Sequence, residues 1–246
     1  MRLALDIGNS RAKVGIFDAD GSLVHIADVG TGFEDTLLEM LARYDVTAAV
    51  MASVADPGRS SKLADLLRKK VPLLTLDQET PLPIRVAYKS AATLGVDRIA
   101  AAVAAHAMFP ERPALVIQAG TCLVTDFITR DGIYKGGSIS PGINMRFAAL
   151  QHFTSRLPLA ESTPPPHFIG DTTATSIQSG VFYGIIDEIN GTIARYNEQF
   201  GDVAVVLTGG QKNLLEKSIK NTIFAVQNLV LTGLYKILIF NAESQI

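Results

Sequence analysis

A short apolar run, Leu3-Ala4-Leu5, ends on an acid and opens into the polar string Asp6-Ile7-Gly8-Asn9-Ser10. Glycine lets a backbone approach a ligand closely, Asn and Ser side chains and nearby amides donate to phosphate oxygens, and a carboxylate at a strand end holds Mg²⁺ through water. Such a turn supports phosphate binding. The alternative is a plain polar hairpin turn, because strings of this kind are frequent. A second polar turn, Gln118-Ala119-Gly120-Thr121, offers amides and a hydroxyl to the same phosphates from an opposite wall. The run Ala204 to Leu207 ends in Thr208-Gly209-Gly210, a place without side chains such as a planar base or ribose needs. In this order and spacing the three favour a nucleotide site over three unrelated turns.

The elements that must position these turns repeat. Leu3-Ala4-Leu5, Ala12 to Phe17 and Ser22 to Val29, joined by Gly8-Asn9-Ser10 and Asp18-Ala19-Asp20-Gly21, read as three antiparallel strands with tight turns. The same grammar returns at Leu115 to Thr121, Cys122 to Ile128, the turn Arg130-Asp131-Gly132 and a third strand towards Gly136. Asp6 and Gln118 lie 112 residues apart, close to half the chain, which favours a duplication. Between the repeats the pattern predicts helices over Glu34 to Tyr44 and Ser61 to Lys70, extended pieces at Ala48 to Val54 and Leu73 to Leu76, and an alanine-rich helix from Val96 to Met108. After the second repeat it predicts a helix over Met145 to His152, a loop at Thr163-Pro164-Pro165-Pro166 and a long helix from Thr173 to Phe200. A strand at Val203 to Thr208 and helices on either side of Thr222-Ile223-Phe224 complete the reading. The expectation is an α/β protein of two equivalent domains, residues 1–112 and 113–246, facing each other across a cleft.

Composition narrows the function classes. The 246 residues carry 22 Lys and Arg against 24 Asp and Glu, a net charge of −2, and no basic run exceeds Arg68-Lys69-Lys70. That argues against a phosphate-backbone footprint and so against nucleic acid as a partner. The single cysteine, Cys122, excludes an internal disulfide framework and a multi-cysteine metal cluster, and the four histidines show no metal-ligand spacing. Cys122 reads as a packing residue rather than a nucleophile, since no histidine shares a motif with it. The most apolar stretch, Ile99 to Phe109, is interrupted by His106 and falls short of the ~20 residues that span a bilayer. Asp6 stands where a signal peptide would need its apolar run, so a cytoplasmic protein with no membrane partner is expected.

Taken together, Asp6-Ile7-Gly8-Asn9-Ser10, Gly95-Val96-Asp97-Arg98, Ala119-Gly120-Thr121, Gly136-Gly137-Ser138-Ile139-Ser140-Pro141-Gly142, Gly170-Asp171-Thr172-Thr173 and Thr208-Gly209-Gly210 resemble type III pantothenate kinase over nearly the whole chain. The resemblance implies two duplicated ribonuclease H-like (actin-like ATPase) domains and transfer of the ATP γ-phosphate to the primary hydroxyl of pantothenate, the first step of coenzyme A synthesis. It implies that Asp6, Ile7, Gly8, Asn9, Ser10, Arg11, Ala12 and Lys13 form the first phosphate loop and that Thr121 contacts ATP from the second. Gly95, Val96, Asp97 and Arg98 would bind pantothenate, with Asp97 as proton acceptor and Tyr88 and Thr173 lining the same pocket. It further implies Mg²⁺, held through water at Asp6, a monovalent cation such as K⁺ or NH₄⁺, and a homodimer with the substrate pocket near the subunit interface. Elementary chemistry agrees. An alcohol is a poor nucleophile until a positioned base takes its proton, and a carboxylate does that as phosphoryl transfer proceeds. A guanidinium pairs with a carboxylate in a fork that lysine cannot reproduce.

One position departs from the family pattern. Where the family carries Asp-x-Gly-Thr, with its Asp on the monovalent cation, this chain has Gln118, which coordinates through an amide oxygen without charge; altered cation dependence is expected. Asp126, on the following strand, is a substitute carboxylate or a residue with a structural partner. Other readings are a kinase of the same superfold with a different acceptor, and a binding or regulatory protein on a kinase fold. A P-loop (Gly-x4-Gly-Lys-Ser/Thr) and a Gly-x-Gly-x-x-Gly turn are both absent from the sequence.

Overall fold

A computed structural model describes residues 1–8, 12–29, 33–54 and 57–243. The chain divides into two compact units: Met1–Met108 with Gly132–Tyr134 and Asn228–Ile246, and Phe109–Asp131 with Lys135–Gln227.

In the first unit, β1 (Arg2–Ile7), β2 (Ala12–Phe17) and β3 (Leu23–Val29) form the expected antiparallel meander, followed by α1 (Phe33–Arg43), β4 (Ala48–Ser53), α2 (Pro57–Arg68) and β5 (Leu73–Thr75). The sheet order is β3-β2-β1-β4-β5, with β4 parallel to β1 and β5 parallel to β4. Successive side chains in a strand point to opposite faces. Leu3, Leu5 and Ile7 of β1, with Ala12, Val14 and Ile16 of β2, therefore share one face, where Phe33, Leu37 and Met40 of α1 and Leu63 and Leu67 of α2 cover them. The α1 residues recur three and four apart, with Glu34 and Asp35 in the first turn and Arg43 in the last, each sign suited to its helix end. Ala4 and Phe17 point the other way, into a core built with α3 (Val96–Met108) and α7 (Leu229–Glu243).

The alanine content of α3 has a physical cause. A Cβ on Gly233 of α7 would stand 1.8 Å from the Ala100 carbonyl oxygen, so the two helices cross with backbones in contact, which only small residues permit. This crossing places Asn228–Ile246 in the first unit, whereas division of the sequence at 112/113 puts that helix in the second half. Before α3, the short β6 (Arg85–Val86) pairs in parallel with Ile133 and Tyr134 at the start of β9.

The second unit repeats the plan. Its strands are β7 (Ala114–Ala119), β8 (Cys122–Ile128), β9 (Ile133–Pro141, of which Lys135 onward belongs here), β10 (Ala204–Thr208) and β11 (Phe224–Ala225). Their order is β9-β8-β7-β10-β11, the same as β3-β2-β1-β4-β5, with an antiparallel β7–β8 pair and parallel β7–β10 and β10–β11 pairs. Two helices, α4 (Ile143–His152) and α5 (Thr173–Phe200), and the short α6 (Lys212–Leu215) complete the unit. Ile177, Val181, Ile185, Ile189 and Ile193 form an i, i+4 stripe on α5, packed with Leu115, Ile117, Leu123 and Phe127. The segment around Thr222-Ile223-Phe224 lies between two helices as expected, the single-turn α6 and α7, and runs into the edge strand β11.

Candidate functional site

Strand parity decides where Asp6 stands. It follows the even residues of β1, so it lies on the face that carries α3, opposite Lys13 in the β1–β2 register. Burial, then the negative charge of Asp97, push the Asp6 carboxyl up to about 7, against a smaller lowering by Lys13. Asp97 stands in the first turn of α3, and burial raises its carboxyl too, opposed by hydrogen bonds from the Arg98 and Asp97 backbones and by the Arg98 charge. The first unit thus brings Asp6 and Asp97 within electrostatic reach of one another. A Cβ on Gly95 would sit 2.5 Å from Asp97 Oδ1, so the carboxylate folds back over Gly95 and a side chain there would displace it. Arg98 is only 7% exposed, with its guanidinium carbon 5.8 Å from the centroid of the Tyr88 ring, a cation–π arrangement that orients both.

Other expected residues of this unit contribute less by side chain. Ile7 and Ala12 are fully buried in the core, so only their backbones face a ligand, and Val96 packs against α7. Gly8 and Lys13 are half-buried. Asn9, Ser10 and Arg11 lie outside the described residues.

In the second unit the turn after β7 is held by backbone contacts. Gly120 N–H donates to the Cys122 carbonyl at 3.0 Å, Gly142 N–H to the Thr121 carbonyl at 3.1 Å and Gln211 N–H to the Ala119 carbonyl at 3.0 Å. A Cβ on Gly142 would meet the Gly120 oxygen at 2.3 Å, and one on Gly209 the Ala119 oxygen at 2.3 Å; Gly209 also has φ +101°, open to glycine alone at low cost. Thr121 itself is exposed, and a Cβ on Gly210 would meet only open space. Gln118 pairs with Val124 of β8 and with Thr208 of β10. Asp126 lies opposite Val116, on the same sheet face as Gln118 and two positions along, and is fully buried. Its charge adds to burial in raising the Tyr196 hydroxyl. Cys122 opens β8 and is partly exposed.

Thr173 is the first residue of α5. Thr172 Oγ1 accepts from Thr175 N at 3.1 Å and Thr175 Oγ1 accepts from Thr172 N at 2.9 Å, a reciprocal cap that fixes this end. Thr173 lines an open cavity of about 920 Å³ with Arg146, Leu150, Phe153, Ser176 and Ile177. Arg146 and Glu188 form a part-buried ion pair that sequence reasoning missed. The signal was present: Glu188 is an acid on the apolar face of α5, between Ile185 and Ile189.

Among the described residues no group of three or more His, Cys, Asp or Glu is placed to hold a metal. Mg²⁺ fits nonetheless. It is commonly bound by one or two carboxylates, with waters and substrate phosphates supplying the rest, and Asp6 and Asp97 are two hard oxygen donors whose mutual repulsion a cation relieves. No described helix is long and apolar enough to cross a membrane.

Two five-strand arrays of equal order, each with a polar turn after its first strand, define the actin-like ATPase and sugar-kinase class of fold. Solved structures bear this out. A chain described as a Baf family transcriptional activator from Campylobacter jejuni superposes with a TM-score of 0.65 at 22% identity, covering 98% of this chain and 99% of that one. The activator of 2-hydroxyisocaproyl-CoA dehydratase from Clostridium difficile, solved with bound ADPNP, gives 0.54 at 13% identity over 100% and 97%. Within this class the chain belongs to the type III pantothenate kinase family, whose sequence profile matches residues 2–195. A type III pantothenate kinase from Bacteroides fragilis is 43% identical over 241 residues, 98% of each chain, and one from Christiangramia forsetii is 38% identical over 242 residues, 98% of this chain and 99% of that one.

Proposed function

We propose that this chain transfers the γ-phosphoryl group of ATP to the primary hydroxyl of pantothenate, with Asp97 of the first unit as proton acceptor and the phosphates contacted from the Asp6–Lys13 loop of the first unit and the Gly120–Thr121 turn of the second. The observation that carries the assignment is Asp97, a half-buried carboxylate folded over Gly95 at the start of α3 beside the Arg98–Tyr88 pair. Asp97 accepts the hydroxyl proton as the new P–O bond forms. Arg98, oriented on Tyr88, pairs with the pantothenate carboxylate. Burial keeps both groups strongly interacting. Asp6 holds Mg²⁺ through water, and the ion neutralises charge on the phosphates. The Thr121 amide and hydroxyl bind phosphate oxygens, and the bare surface at Gly209-Gly210 receives the nucleoside.

Two finer readings accompany this. With Gln118 at the expected cation position, activation by K⁺ or NH₄⁺ over Na⁺ is weak, because a neutral amide adds no Coulomb attraction. The chain is also a homodimer, supported by the exposed side chains of Phe153, Phe168 and Ile169 in the second unit, 81%, 68% and 79% accessible. Sedimentation analysis expects a mass twice that of the chain.

A coupled ADP-release assay with ATP and Mg²⁺, with and without pantothenate, repeated in Na⁺, K⁺ and NH₄⁺ buffers, tests the function. Pantothenate-dependent turnover supports it. ATP binding without turnover in any buffer favours a different acceptor or a binding protein on this fold, and ordinary saturable K⁺ activation contradicts the reading of Gln118.

A further inference from the structure

Three side chains outside the described chemistry form a connected device in the second unit. Ser140 Oγ donates to Glu188 Oε1 at 2.5 Å, and the Arg146 guanidinium donates to Glu188 Oε2. The same guanidinium donates from Nε to the Pro141 carbonyl at 2.8 Å and from an η nitrogen to Ser140 Oγ at 3.4 Å. Both carboxylate oxygens of Glu188 are thus engaged, one by Ser140 and the other by Arg146, which also holds the Pro141 carbonyl. The next residue, Gly142, donates its N–H to the Thr121 carbonyl at 3.1 Å and lies so close to Gly120 and Thr121 that no Cβ fits between them. The Arg146 and Glu188 side chains are 21% and 34% exposed, so their attraction is less screened than that of a surface pair.

We propose that Glu188, acting through Ser140 and Arg146, is a positioning residue that sets the Gly120–Thr121 turn at the height from which it meets the nucleotide phosphates. The route runs from α5, through the end of β9, to the turn after β7, and every link is a hydrogen bond or a backbone contact. A rigid support is what such a turn requires. It presents the Thr121 amide and one exposed hydroxyl, and displacement by a fraction of an ångström spoils both phosphate contacts together. Ser140-Pro141-Gly142 alone does not supply the rigidity, because β9 ends at Pro141 and its last residues are exposed or half-buried. Glu188 supplies it from the apolar face of a 28-residue helix. The proposal rests on the reading of Thr121 as an ATP contact.

Steady-state kinetics of Glu188→Ala, Glu188→Gln, Thr121→Ala and the Thr121→Ala/Glu188→Ala double variant test it. Glu188→Ala is expected to raise the KM for ATP about tenfold, the worth of a lost charge-assisted hydrogen bond, with the pantothenate KM unchanged. Glu188→Gln, which keeps a neutral acceptor for Ser140 and is the safer variant for folding, is expected to raise it by a smaller factor in the same direction. The double variant is expected to be little worse than Thr121→Ala alone, since both act through one turn. A purely structural role would lower the melting temperature and the active fraction while leaving both KM values in place, and that result overturns the proposal. So does strict additivity in the double variant. If Thr121→Ala leaves the ATP KM unchanged, the reading of the turn itself falls, and the positioning role with it.

Discussion

The turns after β1 and β7 occupy the same place in two sheets of the same order, yet they handle charge in opposite ways. After β1 an acid stands at the strand end, opposite Lys13, and burial, with the nearby charge of Asp97 adding to it, pushes its carboxyl up to about 7. At the matching position of β7 stands neutral Gln118, and the acid of that sheet face, Asp126, has moved into the fully buried interior of β8. The charge at the end of β1 is thus set by two neighbouring carboxylates, Asp6 and Asp97. The second turn is a backbone device, in which Gly142 and Gly209 press against the carbonyls of Gly120 and Ala119. Duplication preserved the strand order and the sheet parity, which depend on apolar alternation, and left the polar positions free to diverge.

Substitutions at each turn sharpen or break this contrast. The largest loss of stability is expected at the backbone device. Gly209→Ala places a methyl group 2.3 Å from the Ala119 oxygen at φ +101°, and should cost about 2–3 kcal/mol, lowering the melting temperature by ~5–10 °C in a thermal scan. An unchanged melting temperature would mean that the clamp is soft. Arg98→Lys, in the first unit, loses the planar fork and the stacking on Tyr88. The pantothenate KM should rise about tenfold with the ATP KM unchanged, and a selective effect on ATP would contradict the assignment of Arg98 to the pantothenate pocket.

A smaller effect separates the turns by pH. Asp6 is raised from 3.8 to about 7, so the folded state holds a proton that the unfolded chain releases, and stability falls as pH rises through that window. Asp6→Asn removes this penalty. It should melt ~2–4 °C higher than the parent at pH 8, about 1 kcal/mol in a chain of this size, and show little gain near pH 3, where both states are largely protonated. A gain of equal size at both pH values would point to packing rather than charge. Gln118→Asp, which returns an acid to the second turn, should raise K⁺ activation of turnover over Na⁺ by about threefold, the scale of a partly solvated charge. No change would place the cation elsewhere.

Much of the frame was legible in the sequence because its signals are local. The limits of α3, β8 and α5 follow from runs long enough to show their period, and the alternation in β1 and β2 sets which residues reach the core. The two-residue strands β6 and β11 have no period to read. The placement of α7 in the first unit depends on the Gly233–Ala100 crossing, a contact between residues 133 positions apart that hydrophobicity does not encode. The site divides in the same way. Asp6, Asp97, Arg98 and Thr121 announce themselves through polar turns and the motif after Gly95. The Arg146–Glu188 pair does so only in part, since Glu188 interrupts the apolar residues of α5 but its partner lies 42 positions away and only the fold joins them.

The central claim is that Asp97 accepts the hydroxyl proton and is not itself what binds the nucleotide. Asp97→Asn tests it most directly when turnover and ATP affinity, by titration calorimetry, are measured on the same preparation. Turnover is expected to fall by about 10²–10⁴, the contribution of a general base, with ATP bound as tightly as by the parent. Unchanged turnover, or ATP binding lost together with activity, would contradict it.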